Sequence, residues 1–325
     1  MEQWVLLGGA GLIGSALACE LARQDAASHV LVADHFCSKS TAAVAAFLAT
    51  QVPDPAQRAK IELAAIDGAD PSLIPRLAGH VVNLYSWASV NYDYVAPLPC
   101  PYIPELRRLA ELIAASAASP AVKSFVHVSS GAVESLAAPV YADLRNRKAY
   151  SRFLYALARH SEELLVQEAA CSQGLAYSVL RAPNIYGAYL DGWRGIAPAF
   201  AEAVKQDRDL VLHNGGQEVR QFLSARDAAR GIVFAVTTPK TPARVHIDGP
   251  QTMPIWALAD TVLARAARTR PYGGAVRIEL ESVVDAPSPR TAVAAPTAPA
   301  PRLSAYGWRS RDRVEDCIDA VLAAD

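Results

Sequence analysis

Glycines near the N-terminus have the spacing needed to bind a phosphate group. Residues 5–14 read VLLGGAGLIG. Gly9, Gly11 and Gly14 fit the spacing G-x-G-x-x-G, and Gly8, Gly11 and Gly14 fit G-x-x-G-x-x-G. In both patterns the glycines allow a tight turn and a close approach of the main chain to an anion. The helix that follows presents unpaired backbone N–H groups, so the run is suited to hold a pyrophosphate.

An acidic residue follows the second apolar strand at the distance that a dinucleotide site requires. The strand at 29–33 precedes Asp34, about 20 residues after Gly14, where a carboxylate hydrogen-bonds the adenosine ribose. An aspartate at a strand end could also cap a turn, but here strand, turn, helix, strand and acid occur in order. Asp34 repels a 2′-phosphate and so favours NAD, with NADP as the alternative because Lys39 is near. The expected cofactor contacts are Gly8, Gly11, Leu12, Ile13, Gly14 and Asp34.

Composition limits the class of protein. The 325 residues are 52% hydrophobic and carry a net charge of -1, which argues against a broad surface for nucleic acid or anionic membranes. The five cysteines are scattered without a C-x-x-C pair, so we expect free thiols and no metal site. The first strand begins at the N-terminus and no apolar run approaches ~20 residues, so a cytoplasmic location is expected, without signal peptide or membrane span.

Strand and helix signals alternate along the chain. The pattern predicts an α/β fold, a doubly wound parallel Rossmann sheet with a smaller C-terminal mixed α/β substrate lobe. We assign the dinucleotide-binding domain to 1–183 and the lobe mostly to 184–325, with elements around 225–248 returning to the sheet. The predicted strands are 3–7, 29–33, 61–66, 80–84, 123–129, 176–181, 210–212, 219–223, 244–247 and 276–280. The predicted helices are 12–24, 40–50, 103–118, 149–173, 196–205, 226–237 and 254–268.

Further motifs give the chain a family resemblance over about its whole length. Besides the glycine turn and Asp34, they are Asp67-Gly68, Ser129-Ser130, Tyr155 on a long helix, residues 180–187 (LRAPNIYG), 215–222 (GGQEVRQF), Asp227 and 306–308 (YGW). Together they resemble the extended short-chain dehydrogenase/reductases, a group of nucleotide-sugar epimerases, dehydratases and related enzymes. The resemblance implies an NAD-dependent enzyme in which Asp67 and Gly68 also contact the cofactor. It also implies a homodimer, formed by packing of the tyrosine-bearing helices.

The resemblance assigns catalytic roles. Tyr155 would be the base that takes the substrate hydroxyl proton, and Ser130 would hydrogen-bond the same oxygen, with Ser129 the less favoured choice and a substrate contact. The family spacing is Y-x-x-x-K, and Arg159 stands at the lysine position. Arginine keeps the positive charge that stabilises a phenolate, but it is a planar fork instead of a compact ammonium. Either Arg159 replaces the lysine functionally, or the redox chemistry is altered or lost.

Other positions bear on the reaction and the substrate. Gly131 and Ala132 stand where the family's sugar dehydratases have an Asp-Glu pair, so elimination is disfavoured. Asn184, Arg220 and Arg290 match substrate or diphosphate contacts. We expect an NAD-dependent nucleotide-sugar epimerase or a closely related sugar dehydrogenase acting through a transient ketone. The alternatives are an NAD(P)-dependent oxidoreductase acting on a non-nucleotide secondary alcohol or ketone, and a catalytically altered dinucleotide-binding protein.

Overall fold

The computed structural model describes residues 2–36, 39–68, 70–85, 102–137, 147–190, 192–269, 271–279 and 300–324. The strands are β1 (Glu2–Leu7), β2 (Ala27–Asp34), β3 (Ile61–Ala65), β4 (Gly79–Asn83), β5 (Val122–Ser130), β6 (Tyr177–Ala182), β7 (Asn184–Tyr189), β8 (Gly192–Arg194), β9 (Leu210–His213), β10 (Val219–Ser224), β11 (Arg244–His246), β12 (Gln251–Pro254) and β13 (Val276–Glu279). The helices are α1 (Leu12–Ala22), α2 (Thr41–Gln51), α3 (Pro55–Arg58), α4 (Tyr102–Ala118), α5 (Arg147–Ser172), α6 (Ile196–Lys205), α7 (Ala225–Thr237), α8 (Ile255–Ala266) and α9 (Val314–Ala323).

A central parallel sheet confirms the predicted fold class. Within the described residues its seven strands run in the order β11-β6-β5-β4-β1-β2-β3, and every neighbouring pair is parallel. This is the doubly wound order, with β11 added beside β6. Helices α1 and α7 pack together over one face, while α4 and α5 pack together over the other. All the strand ends that carry candidate site residues therefore meet at one edge of the sheet.

Two smaller sheets and three helices form a second packed region. Strands β12, β10, β7 and β8 make a mixed sheet, and β13 pairs with β9 in parallel. Helices α6, α8 and α9 enclose an apolar core of their own. The short elements β7, β8, β12 and α3 were not predicted from the sequence. Helix α9 was not predicted either, although its buried residues Val314, Cys317, Ile318 and Val321 have helical spacing. Within the described part of the chain, no helix is long and apolar enough to cross a membrane.

A buried ion pair fixes the end of β5. Arg181 on β6 donates from Nε and Nη2 to the two carboxylate oxygens of Glu163 on α5, at 2.9 and 2.7 Å. The Ser129 hydroxyl at the end of β5 donates to the same carboxylate at 2.6 Å. A bidentate guanidinium–carboxylate pair is geometrically specific. It holds β5, β6 and α5 in one arrangement and so determines where the next residue, Ser130, emerges.

Candidate functional site

The glycine turn forms the phosphate end of a crevice above the sheet. Helix α1 begins at Leu12 after Gly11, and the backbone N–H groups of its first turn have no partners within the helix. A Cβ on Gly14 would lie 2.4 Å from the carbonyl oxygen of Gly9, so only glycine permits this packing of helix on turn. A Cβ on Gly11 would meet nothing closer than 3.6 Å, which leaves room above the turn. These residues, with Ile13 between them, fit a pyrophosphate.

Asp34 joins the end of β2 to the glycine turn. The carboxylate is only 2% exposed; Oδ2 accepts a hydrogen bond from the Ala10 N–H at 3.1 Å, and Oδ1 accepts one from the Phe36 N–H at 3.1 Å. The His35 ring lies 3.0 Å from Oδ1. Asp67 is exposed and Gly68 is buried, just beyond β3. The predicted cofactor residues therefore gather at the ends of β1, β2 and β3.

The ring of Tyr85 occupies the side of the crevice that Asp34 marks. Tyr85 follows β4, and a Cβ on Gly8 would lie 2.9 Å from its ring. Burial raises the pKa of the Tyr85 phenol, and the carboxylates of Asp34 and Asp67 raise it further. The phosphate end of the crevice thus fits the pyrophosphate of a dinucleotide, whereas the Tyr85 side chain lies in the adenosine end.

A cleft of about 570 Å³ lies beside the crevice and brings four predicted residues together. They are Ser130, Tyr155, Asn184 and Arg220. The Ser130 hydroxyl accepts a hydrogen bond from the Ala132 N–H at 3.2 Å, and the Asn184 amide donates to the Gln221 carbonyl at 3.2 Å. The cleft therefore combines hydroxyl groups at the end of β5 and on α5 with polar and cationic groups on β7 and β10.

Three other residues considered in the sequence analysis, all within the described part of the chain, lie outside this cleft. Ser129 is buried and bonded to Glu163, so the structure gives it a bracing contact where a substrate contact was expected. Arg159 is 5% exposed and points into the protein. Arg290 lies outside the described residues. Lys39 lies with its ammonium 5.9 Å from the centre of the Tyr189 ring.

Arg159 makes buried contacts beneath the crevice. Its Nη1 donates to Glu162 Oε2 at 2.7 Å and to the Tyr85 carbonyl at 3.1 Å, and its Nη2 donates to the Val128 carbonyl. Glu162 is fully buried, so the two charges compensate each other in a region of low dielectric. Arg159 therefore ties α5 to the ends of β4 and β5, and its charge is committed to Glu162.

A neutral histidine completes this buried layer. The Asn83 amide lies 2.9 Å from Nδ1 of His127, and Nε2 of His127 lies 3.5 Å from Glu162 Oε2. An amide donor at Nδ1 places the ring proton on Nε2, toward the carboxylate. Burial lowers the pKa of His127, so the ring is neutral near pH 7. Glu162 thus interacts with one cation and one neutral ring.

The cleft also contains acid–base groups that the sequence analysis did not assign. His246 Nδ1 and the buried Arg181 Nη1 each lie 3.7 Å from Glu134 Oε1. His246 Nε2 lies 3.2 Å from the Gln221 side-chain oxygen, and burial lowers the pKa of the imidazole. Arg302 lines the same cleft. His246 lies on β11, more than a hundred residues after Glu134, and no local spacing connects them.

The free thiols in the described part of the chain lie outside the cleft. Cys19, Cys171 and Cys317 are free, and burial raises the pKa of Cys19 to about 11 and that of Cys317 to about 12. Among the described residues, no group of three or more His, Cys, Asp or Glu side chains could hold a metal ion. The described residues that line the cleft supply hydroxyl, imidazole, carboxylate and guanidinium groups.

Comparisons with known proteins give a family match that covers most of the chain. The family model described as "NAD dependent epimerase/dehydratase family" matches residues 4–247. A curated UDP-N-acetyl-alpha-D-glucosaminuronate decarboxylase from Bacillus cytotoxicus is 29% identical over 113 residues, a match that spans 34% of this chain and 35% of that relative.

Solved structures resemble the chain over its whole length. A UDP-N-acetylglucosamine 4-epimerase from Methanobrevibacter ruminantium M1, in complex with UDP-N-acetylmuramic acid, has a TM-score of 0.68 at 18% identity, covering 99% of this chain and 97% of that one. A UDP-glucuronic acid 4-epimerase from Bacillus cereus, in complex with UDP-glucuronic acid and NAD, has a TM-score of 0.69 at 17% identity, covering 98% of both chains. At these identities the likeness shows the fold.

Replacing Arg159 by Met is expected to destabilise the protein by about 3–5 kcal/mol, because Glu162 would keep a buried charge without its cation. Urea unfolding at pH 7 measures the change. Arg107→Met is the matched control, since Arg107 forms an exposed pair with Glu111 and its loss should change stability little. The double substitution Arg159→Met with Glu162→Gln should recover part of the loss. Equal stability of Arg159→Met and the control would contradict a structural role.

The two adjacent serines should separate function from stability. Ser130→Ala is expected to lower turnover by at least about a hundredfold with little change in unfolding free energy, because its hydroxyl faces the cleft. Ser129→Ala is expected to lower stability by about 1–3 kcal/mol, because it removes a buried partner of Glu163. Turnover and urea unfolding of both variants measure the two effects. A full loss of turnover in Ser129→Ala, with Ser130→Ala active, would reverse the assignment.

Proposed function

Since the chain belongs to the NAD dependent epimerase/dehydratase family, we propose that it is an NAD-dependent enzyme that epimerises a nucleotide sugar through a transient ketone. A closely related sugar dehydrogenase activity would use the same groups. The observation that carries the proposal is the cleft in which Ser130, Tyr155, Asn184 and Arg220 come together. The cleft opens at the edge of the sheet that also holds the glycine turn.

The roles of the side chains follow from their chemistry. The glycine turn and Asp34 would hold NAD, whose chemistry there would be reversible hydride transfer with the carbinol carbon of the sugar. Tyr155 takes the proton of the hydroxyl group on that carbon, and Ser130 hydrogen-bonds the same oxygen. Ser130 is held in place by the ion pair of Glu163 with Arg181 behind it. Arg159 acts at a distance, by fixing the backbone beneath the crevice.

Recognition of the substrate is assigned to the region after residue 183. Arg220 is partly exposed beside the cleft, with Nη2 2.5 Å from Glu218 Oε1, and its guanidinium can bind phosphate oxygens bidentately. Asn184 and Arg302 line the same wall. Two of the solved structures hold UDP-sugars, which supports a nucleoside diphosphate as the group bound here. On this reading residues 1–183 bind the dinucleotide and 184–325 mostly bind the substrate.

The described part of α5 also bears on assembly. Leu157 is 40% exposed and Leu164 is 51% exposed, whereas Phe153, Leu154 and Leu165 pack against their own chain. Residues 157 and 164 are two helical turns apart and share one face of the helix. This exposed pair supports a homodimer formed through α5, and light scattering of the purified protein gives its mass.

The decisive experiment follows the hydrogen atoms of the sugar. The protein with NAD is incubated in D₂O with UDP-glucose, UDP-glucuronic acid or UDP-N-acetylglucosamine, and the products are identified by proton NMR. Epimerisation by hydride return is expected to give an epimer without deuterium on carbon, because the hydride never exchanges with solvent. Tyr155→Phe should be inactive, while Tyr272→Phe, which removes a hydroxyl outside the cleft, should retain turnover. An active Tyr155→Phe enzyme would refute the assigned base.

A second candidate function is a reaction that moves a proton to or from carbon, such as elimination or decarboxylation. It is favoured by the pairing of Glu134 with His246 in the cleft, where Gly131 and Ala132 themselves supply no acid or base. The lowered pKa of His246 makes the ring a neutral base near pH 7. In the same D₂O experiment this function predicts deuterium on a sugar carbon, and His246→Gln should abolish the incorporation.

Arg220→Ala is expected to weaken binding of UDP by about tenfold to a hundredfold, because a bidentate charge-assisted contact to phosphate is lost. Isothermal titration calorimetry measures the dissociation constant. Arg277→Ala is the control, because Arg277 is an exposed arginine of β13 outside the cleft. Unchanged UDP affinity in Arg220→Ala would favour a substrate without a diphosphate at this position.

A further inference from the structure

Tyr85 lies across the part of the crevice where the adenosine half of a dinucleotide would bind. Its ring contacts the Gly8 position beyond β1 and meets the His35 ring beyond β2 edge-to-face, with centroids 5.9 Å apart. Its hydroxyl is buried, and besides burial the nearby carboxylates of Asp34 and of Asp67, which lies beyond β3, raise its pKa. One aromatic side chain therefore spans the ends of three neighbouring strands. In a doubly wound sheet, this edge is where ligands bind, and the acid after the second strand marks the ribose.

The backbone of Tyr85 is held from below. Its carbonyl accepts a hydrogen bond from Arg159, and its N–H donates to the Asn83 side chain at 3.3 Å. Asn83 in turn contacts the buried ring of His127. The peptide groups at Tyr85 are therefore anchored to β4, β5 and α5, and the side chain can leave the crevice only by turning about its own bonds.

We propose that Tyr85 is a gate on the adenosine end of the cofactor crevice, and that its ring must turn out before a dinucleotide binds. This inference rests on the proposed function only in taking a dinucleotide as the ligand. The inward ring fills the ribose side at Asp34, and it leaves the phosphate end above Gly11 and α1 open. A ligand without an adenosine half has no need to displace the ring.

The gate lowers the apparent affinity for a dinucleotide, because only those molecules whose Tyr85 ring is turned out can bind it. For a site that binds only in the open state, the measured dissociation constant is the intrinsic value divided by that fraction. A protein that is open one tenth of the time or less would bind at least about tenfold more weakly than an ungated one. Removing the ring should therefore raise the affinity by this factor for ligands that occupy the adenosine end of the crevice.

The test compares Tyr85→Ala with the wild-type protein by isothermal titration calorimetry, using NADH and ADP-ribose, and nicotinamide mononucleotide as a ligand without adenosine. Tyr85→Ala is expected to bind NADH and ADP-ribose at least about tenfold more tightly, with unchanged affinity for nicotinamide mononucleotide. Tyr85→Phe keeps the ring and should bind like the wild type. Tyr85→Leu, which keeps apolar contact with the surrounding core, replaces Tyr85→Ala if thermal unfolding shows that the alanine variant does not fold.

Three results would overturn the gate: equal affinity of wild type and Tyr85→Ala for NADH, weaker binding by Tyr85→Ala, or an equal gain for nicotinamide mononucleotide. Weaker binding would mean that the ring stacks on the cofactor instead of excluding it. The proposed function fails separately, if no UDP-sugar is converted in the D₂O experiment while Tyr85→Ala gains affinity for NADH. If the enzyme converts a UDP-sugar but Tyr85→Ala does not change its affinity for NADH, the proposed function holds and the gate is refuted.

Discussion

The buried charge of Arg159 constrains the whole floor of the crevice. A guanidinium removed from water must meet a carboxylate and hydrogen-bond acceptors, and here it finds Glu162 together with two main-chain carbonyls. Those carbonyls belong to Tyr85, just beyond β4, and to Val128 on β5. The pair therefore sets the distance between a central helix and two adjacent strand ends. Whatever binds above these strand ends meets a surface determined by this ion pair.

A second ion pair lies one residue along the same helix. Glu163 holds Arg181 and Ser129, so neighbouring glutamates of α5 secure two different parts of the sheet. In this arrangement the residues that hold the backbone in place are different from those that line the cleft. The side chains that face the cleft, Ser130 and Tyr155, are supported by these buried groups. The same separation holds for Arg159, which stands at the lysine position of the Y-x-x-x-K spacing: its charge meets Glu162 in the interior, while Ser130 and Tyr155 line the cleft.

Much of the fold could be predicted from the sequence because buried parallel strands are continuous apolar runs and the glycine turn has a fixed spacing. The direction of Arg159 could not be predicted. Its spacing from Tyr155 places both residues on one helix face, but a long side chain can turn toward a glutamate three residues on and toward carbonyls far away in sequence. The position of the Tyr85 ring could not be predicted either, since the contacts that define it come from Gly8 and His35, which are distant in sequence. The proximity of Glu134 and His246 could not be predicted either, because it arises only when β11 pairs with β6 in the folded sheet.

Strand β11, at residues 244–246, pairs with β6 at the edge of the central sheet, although β6 ends much earlier in the chain, at Ala182. The edge of β6 remains unpaired on a growing chain until about sixty further residues have been made, including β10 and α7. Because loop closure over such a distance is slow compared with local pairing, β11 should dock late in folding. His246 enters the cleft with that strand. The glycine turn can thus form early on the nascent N-terminal half, whereas the cleft lacks His246 until β11 has been made and has docked.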